Sequence, residues 1–203
     1  VLGAAGIVAA VGLNESAKGD VRQTLEKLGT NLIVASADGT FSGGEAPTLP
    51  EEAVERAMNV STVDRAAGIT EIGSLTVLPS QGGREFFRTI PVHVLTSDQN
   101  LLDVLDAQML YGRFINGADE DNIFRSAVIG QDLARDYQYL PGEARTIDVN
   151  GETYGVVGVL EKVALVPKLD TAVIIPKSSA EQDFDIEQKP TTLYARAIEG
   201  TVD

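Results

Sequence analysis

Residues Met109 to Leu160 read MLYGRFINGADEDNIFRSAVIGQDLARDYQYLPGEARTIDVNGETYGVVGVL, and this stretch decides the fold. The short apolar run Ser126–Ile129, which ends at Gly130, is typical of a buried strand. The next segment, Gln131–Tyr137, carries its apolar side chains on one helical face. We therefore predict a strand, a tight connection and a short helix in succession.

The rest of this stretch predicts a hairpin. Pro141–Gly142 ends the helix and turns the chain. Arg145–Asn150 alternates apolar and polar residues, as on a half-buried strand. Asn150–Gly151 is the strongest short hairpin signal, because both residues tolerate positive φ. The return strand is Glu152–Leu160.

Four short motifs in this stretch, in this order and spacing, resemble those of one family. They are Gly112–Phe114, Ala127–Gly130, Pro141–Gly142 and Tyr154–Leu160. Two flanking segments agree with it, and these are Leu28–Val34 and Asp170–Pro176. Over most of its length the chain resembles the extracytoplasmic (periplasmic) core domain of MacB-type, FtsX-like ABC transporter permeases, a group that includes the lipoprotein-release permeases.

The resemblance implies an α+β fold, a mixed α/β domain of two lobes. In this family a porter-like lobe carries an inserted smaller α/β lobe. Residues 14–97 and 163–203 correspond to the porter-like lobe with its N-terminal stalk helix, and residues 98–162 correspond to the inserted lobe. Residues 1–13 correspond to the outer end of the first transmembrane helix, in truncated form.

The N-terminal segment is compatible with this assignment. Residues 1–13 carry no charge, but a membrane-spanning helix needs roughly 20 apolar residues, and a signal peptide would need a basic flank. From the residues alone, a membrane helix end and a buried or frayed helix both stay open; the resemblance favours the first. The amphipathic segment 14–29 places Val21, Leu25 and Leu28 at helical spacing. Because the strand Asn31–Ser36 follows almost directly, we expect these three side chains to couple the stalk to the sheet.

Elsewhere the pattern predicts short elements of both kinds. Helices are expected at Pro50–Met58, at Ser97–Asp106 and after a capping box formed by Ser178 and Glu181. Extended segments are expected at Val60–Ile69, Glu71–Leu78, Glu85–Thr96, Thr171–Ile175 and Thr191–Ala197. Pro91 indicates that Glu85–Thr96 is an edge strand.

The sequence of 203 residues is acidic, with 16 lysines and arginines against 30 aspartates and glutamates and a formal net charge of −14. Affinity for nucleic acid comes mainly from Lys and Arg on phosphates, so the charge argues against a nucleic-acid partner. It indicates solubility outside the membrane or, alternatively, an acidic face for a cationic partner. The absence of cysteine excludes disulfides, thiolate ligands and a cysteine nucleophile.

Patterns for catalysis are incomplete. Ser42 lies in a Gly-rich loop that lacks the G-x-S-x-G elbow of serine hydrolases. His93 is the single histidine, so carboxylates alone would have to complete a zinc site, and a histidine on a strand face is the simpler interpretation. No G-K-[ST] phosphate loop occurs, so we expect no nucleotide hydrolysis.

Acidic residues cluster without the spacing of a calcium-binding loop. Solvated acidic turns are expected at Asp119–Asp121 and at the group Asp183, Asp185 and Glu187. Two further pairs, Asp103 with Asp106 and Asp132 with Asp136, are expected on exposed helix faces. The sequence therefore predicts no catalytic, cofactor-binding or metal site.

These observations favour a non-enzymatic function. The resemblance implies an extracytoplasmic domain in a bacterial cell membrane protein, an ABC permease subunit that relays ATP-driven motion to a substrate or partner protein. It implies as partners a cognate ABC ATPase, a second permease subunit in a dimer, and an extracytoplasmic adaptor or substrate protein. An alternative function is a module that binds or senses a peptide or lipid between the lobes. A third, an envelope hydrolase, lacks a nucleophile beside a base.

Overall fold

The described part of the chain consists of strands with short helices between some of them. The computed structural model describes residues 31–37, 47–73, 75–79, 92–140 and 145–198. Several predictions fall outside these residues: the segment 1–13, the stalk 14–28, Ser42, the strand portion 85–91 with Pro91, and Pro141–Gly142.

Five α-helices occur among the described residues. They are α1 (Ala53–Met58), α2 (Leu101–Leu105), α3 (Gly117–Asp121), α4 (Gln131–Asp136) and α5 (Lys177–Phe184), with a 3-10 helix at Pro167–Thr171. The strands are β1 (Leu32–Ser36), β2 (Val63–Ile72), β3 (Val77–Pro79), β4 (His93–Ser97), β5 (Met109–Gly112), β6 (Ser126–Ile129), β7 (Thr146–Val149), β8 (Glu152–Leu160), β9 (Ala172–Ile174) and β10 (Thr192–Ala197).

The described strands form one mixed sheet. Its order is β1-β10-β2-β4-β9-β6-β8-β7-β3, and β5 pairs with β8 beside this path. The pairs β4–β9 and β6–β8 are parallel, and the other pairs are antiparallel. The expected mixed α/β architecture is therefore confirmed.

The middle of the sheet is buried on both faces. Every residue of β6 and β9 is buried, and neighbouring residues belong to different core clusters. Val128 and Ile174 lie in one cluster, with side chains of α2, whereas Ile129 and Val173 lie in the other, with side chains of α4. Because successive side chains of a strand point to opposite faces, the two clusters lie on opposite sides of the sheet. Burial on both sides explains why these strands are continuous apolar runs.

Strands from residues 98–162 join strands from the rest of the chain in this sheet. Val128 of β6 pairs with Ile174 of β9, and Val149 of β7 pairs with Val77 of β3. The proposed division into a porter-like lobe and an inserted lobe stays a prediction.

The predicted hairpin and the glycine that ends β6 are confirmed. Asn150 and Gly151 have φ of 53° and 96° between β7 and β8. A Cβ atom on Gly130 would lie 2.1 Å from the carbonyl oxygen of Leu169, so only glycine lets the two backbones approach this closely.

Some predicted boundaries are wrong. The strand β2 runs unbroken from Val63 to Ile72, where we predicted two extended segments. The described part of the strand assigned to the edge, His93–Ser97, lies between β2 and β9 and carries no proline, so its backbone can bond on both sides. The strand Met109–Gly112 was not predicted; it pairs with β8 with a register shift.

Two helix starts also differ from their predictions. The expected acidic turn at Asp119–Asp121 belongs to α3, because Asn116 and Asp119 form a capping box at its start. The predicted capping box of Ser178 and Glu181 is not formed, since α5 begins at Lys177 and has no local side-chain cap.

Candidate functional site

A carboxylate from α3 caps the helix α5. The two oxygens of Glu120 accept hydrogen bonds from the backbone N–H groups of Lys177, at 3.0 Å, and Ser178, at 2.9 Å. Such N–H groups in the first turn of a helix have no partner within that helix. The negative charge of Glu120 also complements the positive end of the helix dipole. The cap therefore joins residues 98–162 to the C-terminal part of the chain.

An ion pair beside this cap adds strand β2 to the same cluster. The ammonium of Lys177 binds Oδ1 of Asp98, and Oδ2 of Asp98 accepts a hydrogen bond of 2.7 Å from the N–H of Gly68. We name Asp98, Glu120 and Lys177 the clamp. It links β2, the segment before α2, α3 and α5 through charged side chains.

A second connection is centred on Asp183 in α5. Arg125 donates to both its oxygens, at 2.8 and 2.6 Å, and the hydroxyl of Tyr154 donates at 2.7 Å. The bonds from Arg125 lower the pKa of Asp183, burial opposes this, and the bond from Tyr154 adds to the lowering. The side chain of Asp183 is 2% exposed, so the expectation of a solvated acidic turn is wrong for this residue.

Tyr154 is fully buried in β8. Burial raises the pKa of its phenol, and the neighbouring Asp183 carboxylate raises it further. Its ring stacks on Phe184 of α5 with the centroids 6.4 Å apart. The phenol therefore stays protonated as a hydrogen-bond donor that orients Asp183.

Asp119 forms a third buried charge pair. Arg113 donates to both its oxygens, at 2.5 and 2.9 Å, and Ser126 and the N–H of Asn116 each donate at 2.9 Å. The bonds from Arg113 lower the pKa of Asp119 despite its burial. The carboxylate is 0% exposed, so this residue too contradicts the predicted solvated turn.

His93 lies on a strand as predicted. Its Nδ1 is 2.8 Å from a carboxylate oxygen of Glu71, whose other oxygen is 3.4 Å from the ammonium of Lys168. Burial raises the pKa of Glu71, but its bonds to His93 and Lys168 outweigh burial and lower it overall. The histidine takes part in a polar cluster that joins β2, β4 and the 3-10 helix.

The remaining acidic candidates lie apart from one another. Asp103 and Asp106 are exposed on α2 and at its C-terminal end. On α4, Asp132 pairs with Arg135 at 3.1 Å and with Lys162 at 3.2 Å. Within the described ranges, no group of three His, Asp or Glu side chains converges as a metal site would require.

An open groove of about 450 Å³ lies next to the clamp. Its apolar lining comes from Val54, Met58 and Ala66, and the clamp residues line it as well. Ser97 also lines the groove; it is 6% exposed, and its hydroxyl has no hydrogen-bond partner among the described residues. The volume lies in the range of small-ligand sites. An apolar pocket beside Tyr137, of about 10 Å³, is too small for one.

Fold and polar contacts together define a class of protein: a mixed α/β domain whose buried charges fasten segments to one another. None of the described helices has both the length and the apolar composition that crossing a membrane requires. The chain belongs to the family of the MacB-like periplasmic core domain, whose model matches residues 1–202. It is accordingly the extracytoplasmic domain of a MacB-like ABC transporter permease, and this family places it in a transporter with ATPase and permease partners.

Solved structures agree with this fold. The periplasmic region of MacB from Actinobacillus actinomycetemcomitans is 12% identical and gives a TM-score of 0.62, over 88% of this chain and 80% of that chain. The extracellular domain of the ABC-type transporter YknZ from Gram-positive bacteria is 13% identical, with a TM-score of 0.57, over 84% of this chain and 83% of that chain. No curated protein sequence matches the chain significantly.

The residues predicted from the sequence to couple the stalk to the sheet are not those that form the clamp. The predicted coupling residues Val21, Leu25 and Leu28 lie outside the described part of the chain and remain predictions. The role of Glu120 was missed, because its partner Lys177 is 57 positions away and no spacing rule connects them. The one available signal was that Pro176 cannot cap α5 with its own side chain.

Proposed function

We propose that this domain relays ATP-driven motion of the membrane helices to a substrate or partner protein, and that it does so without catalysis. The stalk helix 14–28 would carry the movement, with Val21, Leu25 and Leu28 as its coupling face. The family membership supports the setting. The observation that carries the relay is the attachment of β1, the strand that follows the stalk in sequence.

β1 is bonded along its whole length to β10. Leu32 pairs with Arg196 at one end of the ladder, and Ser36 pairs with Thr192 at the other. Beyond β10 the sheet continues through β2, β4 and β9 into β6. A displacement of β1 would therefore act on a continuous set of backbone hydrogen bonds, which resist stretching better than side-chain packing alone.

The clamp supports the same function. A relay needs its parts to move together, and Glu120 and Lys177 tie residues 98–162 to α5 next to the sheet. The partners in this proposal are a cognate ABC ATPase, a second permease subunit, and an extracytoplasmic adaptor or substrate protein. The acidic surface favours a partner that offers cationic groups.

A helix-breaking substitution in the stalk tests the relay. In the complete transporter, Leu25→Pro should leave ATP hydrolysis in place and abolish transport, because proline removes a backbone hydrogen bond and kinks the helix. Leu25→Met, which keeps size and helix propensity, is the matched control and should transport normally. Undiminished transport by a stably expressed Leu25→Pro transporter would refute the relay.

The groove beside the clamp favours a second candidate function, the binding of a peptide. Its lining combines apolar side chains with the hydroxyl of Ser97, which has no partner among the described residues, and the amides of Gln99 and Asn100. Polar groups of this kind suit a peptide backbone better than a lipid chain, which needs an enclosed apolar pocket.

Calorimetric titration distinguishes this candidate from the relay. Mixed short peptides should release or take up heat with the wild-type chain, and Met58→Asp should abolish the signal. Leu140→Asp, at an exposed apolar residue outside the groove, is the control. Absence of a signal with peptides would leave the relay alone as the proposed function.

A further inference from the structure

The turn between β7 and β8 holds an Asn-Gly pair, and the backbone N–H groups of both residues are hydrogen-bonded. The N–H of Asn150 donates to the carbonyl of Thr76 at 2.7 Å. The N–H of Gly151 donates to Oδ1 of Asp148 at 2.9 Å. Both turn residues have positive φ and are exposed.

Asn-Gly pairs are the sequences most prone to spontaneous deamidation. The backbone nitrogen of the glycine attacks Cγ of the asparagine, a nitrogen–carbon bond forms, and the bond from Cγ to the side-chain nitrogen breaks. Ammonia leaves with the proton released by the glycine nitrogen, and a cyclic imide remains. Water then opens the ring at either carbonyl, which gives aspartate or isoaspartate.

We propose that Asn150 is a deamidation site whose rate in the folded domain is limited by Asp148. The attacking atom is the nitrogen of Gly151, and its hydrogen is bound to the Asp148 carboxylate. A hydrogen bond to a charged acceptor is stronger than one to a neutral acceptor, so it holds this nitrogen in place. The negative charge beside it also opposes the loss of the proton that the attack requires.

The product would disturb a specific part of the sheet. Isoaspartate inserts one extra methylene into the main chain of a two-residue turn, where the register of the flanking strands is set. Val149 pairs with Glu152 across this turn and with Val77 of β3 on its other side. Ageing at Asn150 would therefore loosen the edge of the sheet formed by β3 and β7.

The chain carries an internal control, the pair Asn116–Gly117 at the start of α3. Asn116 is exposed like Asn150, but its side-chain oxygen is fixed by the N–H of Ala118 at 2.9 Å. Asp148 is not among the partners of Asn116, so a change at Asp148 should leave deamidation at Asn116 as it is.

Peptide mapping by mass spectrometry, after timed incubation of the folded chain at mildly alkaline pH, tests the proposal. Wild-type Asn150 should deamidate more slowly than in the same chain held unfolded in denaturant. Asp148→Ala should raise the folded-state rate at Asn150 by about tenfold, the factor expected for loss of a charged hydrogen bond. Asp148→Ser keeps a short acceptor without the charge, cannot itself deamidate, and should give a smaller increase.

Two outcomes would overturn the proposal. One is an unchanged rate at Asn150 in both variants while circular dichroism shows that they are folded. The other is an equal increase in the deamidation rate at Asn116. This would mean that the substitution at Asp148 acts by unfolding the domain and not by removing the bond between Asp148 and Gly151.

Discussion

The carboxylate of Glu120 accepts a hydrogen bond of 3.0 Å from the backbone N–H of Lys177, and it thereby caps a helix 57 residues further along the chain. The same Lys177 directs its side chain to Asp98, which is bonded to β2. The start of α5 is thus fixed from two sides by acidic residues. Glu120 contacts the backbone at the start of α5, and Asp98 contacts the side chain of its first residue.

Removal of the distant cap should cost stability, whereas removal of the predicted local cap should not. Glu120→Ala leaves two N–H groups of α5 without an acceptor, and loss of a helix cap costs about 1 to 2 kcal/mol. Glu181→Ala is the matched control, because this exposed glutamate does not cap α5. Urea unfolding of both variants measures the difference. Equal free energies of unfolding for the two would show that the Glu120 contact contributes nothing.

Gly130 should not tolerate a side chain. A Cβ atom there would lie 2.1 Å from the oxygen of Leu169 and 2.4 Å from the carbonyl carbon of Asp170. Both are backbone atoms, so a change of rotamer cannot relieve the clash. Gly130→Ala is expected to destabilise the domain by about 3 kcal/mol or more. Gly73→Ala, with nothing within 4 Å of the new atom, should change stability by less than about 0.5 kcal/mol. A thermal or urea melt of Gly130→Ala that matches the wild type would contradict the close approach.

Stability should fall in acid because of Asp119 and Asp183. Arg113 and Arg125 hold the pKa values of these carboxyls below their ordinary value. Below about pH 4, the ordinary pKa of aspartate, the unfolded chain therefore takes up protons that the folded chain does not. The free energy of unfolding then decreases as the pH falls towards the folded-state pKa values.

Asp183→Asn should reduce this pH dependence, which unfolding experiments at a series of acidic pH values can measure. Asp185→Asn is the control. Asp185 is exposed with φ of 55°, a conformation that asparagine adopts readily, so this variant removes a carboxylate from the same segment without disturbing the backbone or the bonds of Asp183. A wild-type slope in Asp183→Asn would mean that Asp183 is not held in its charged form.

Arg113, whose side chain is 46% exposed, should matter more for stability than the more exposed Arg135. Arg113→Met leaves the fully buried carboxylate of Asp119 without its cation, and we expect a loss of about 3 kcal/mol in urea unfolding. Arg135→Met removes a cation that is 67% exposed beside Asp132, and the loss should be below about 1 kcal/mol. Equal free energies of unfolding for Arg113→Met and Arg135→Met would contradict a special contribution of Arg113 to stability.

Sequence patterns were sufficient where an element depends on its immediate neighbours. The hairpin of β7 and β8 follows from alternation and from the conformations open to Asn150 and Gly151. β6 has the predicted bounds, Ser126–Ile129, because a short apolar run that ends at a glycine is typical of a buried strand.

The same patterns failed where a distant residue decides the outcome. Glu181 stands at the right spacing for a capping box, yet Glu120 takes that position from another element. Asp119 and Asp183 look like solvated acids in sequence, and they are buried because Arg113 and Arg125 neutralise them in space. A rule based on spacing relates residues that are close in sequence. Burial of a carboxylate depends on a cation that can be far away in sequence and comes close only when the chain folds.

The pairing of Leu32 with Arg196 has a mechanical consequence. Because β1 and β10 are antiparallel, the chain enters the first and leaves the second at the same end of their ladder. A force that pulls these two connections apart would break the hydrogen bonds between β1 and β10 one at a time, starting at this end, and only a small force would be needed. A force that moves both connections in the same direction does not stretch the hydrogen bonds between β1 and β10. The domain should therefore resist a push along the strands much better than a force that separates β1 from β10.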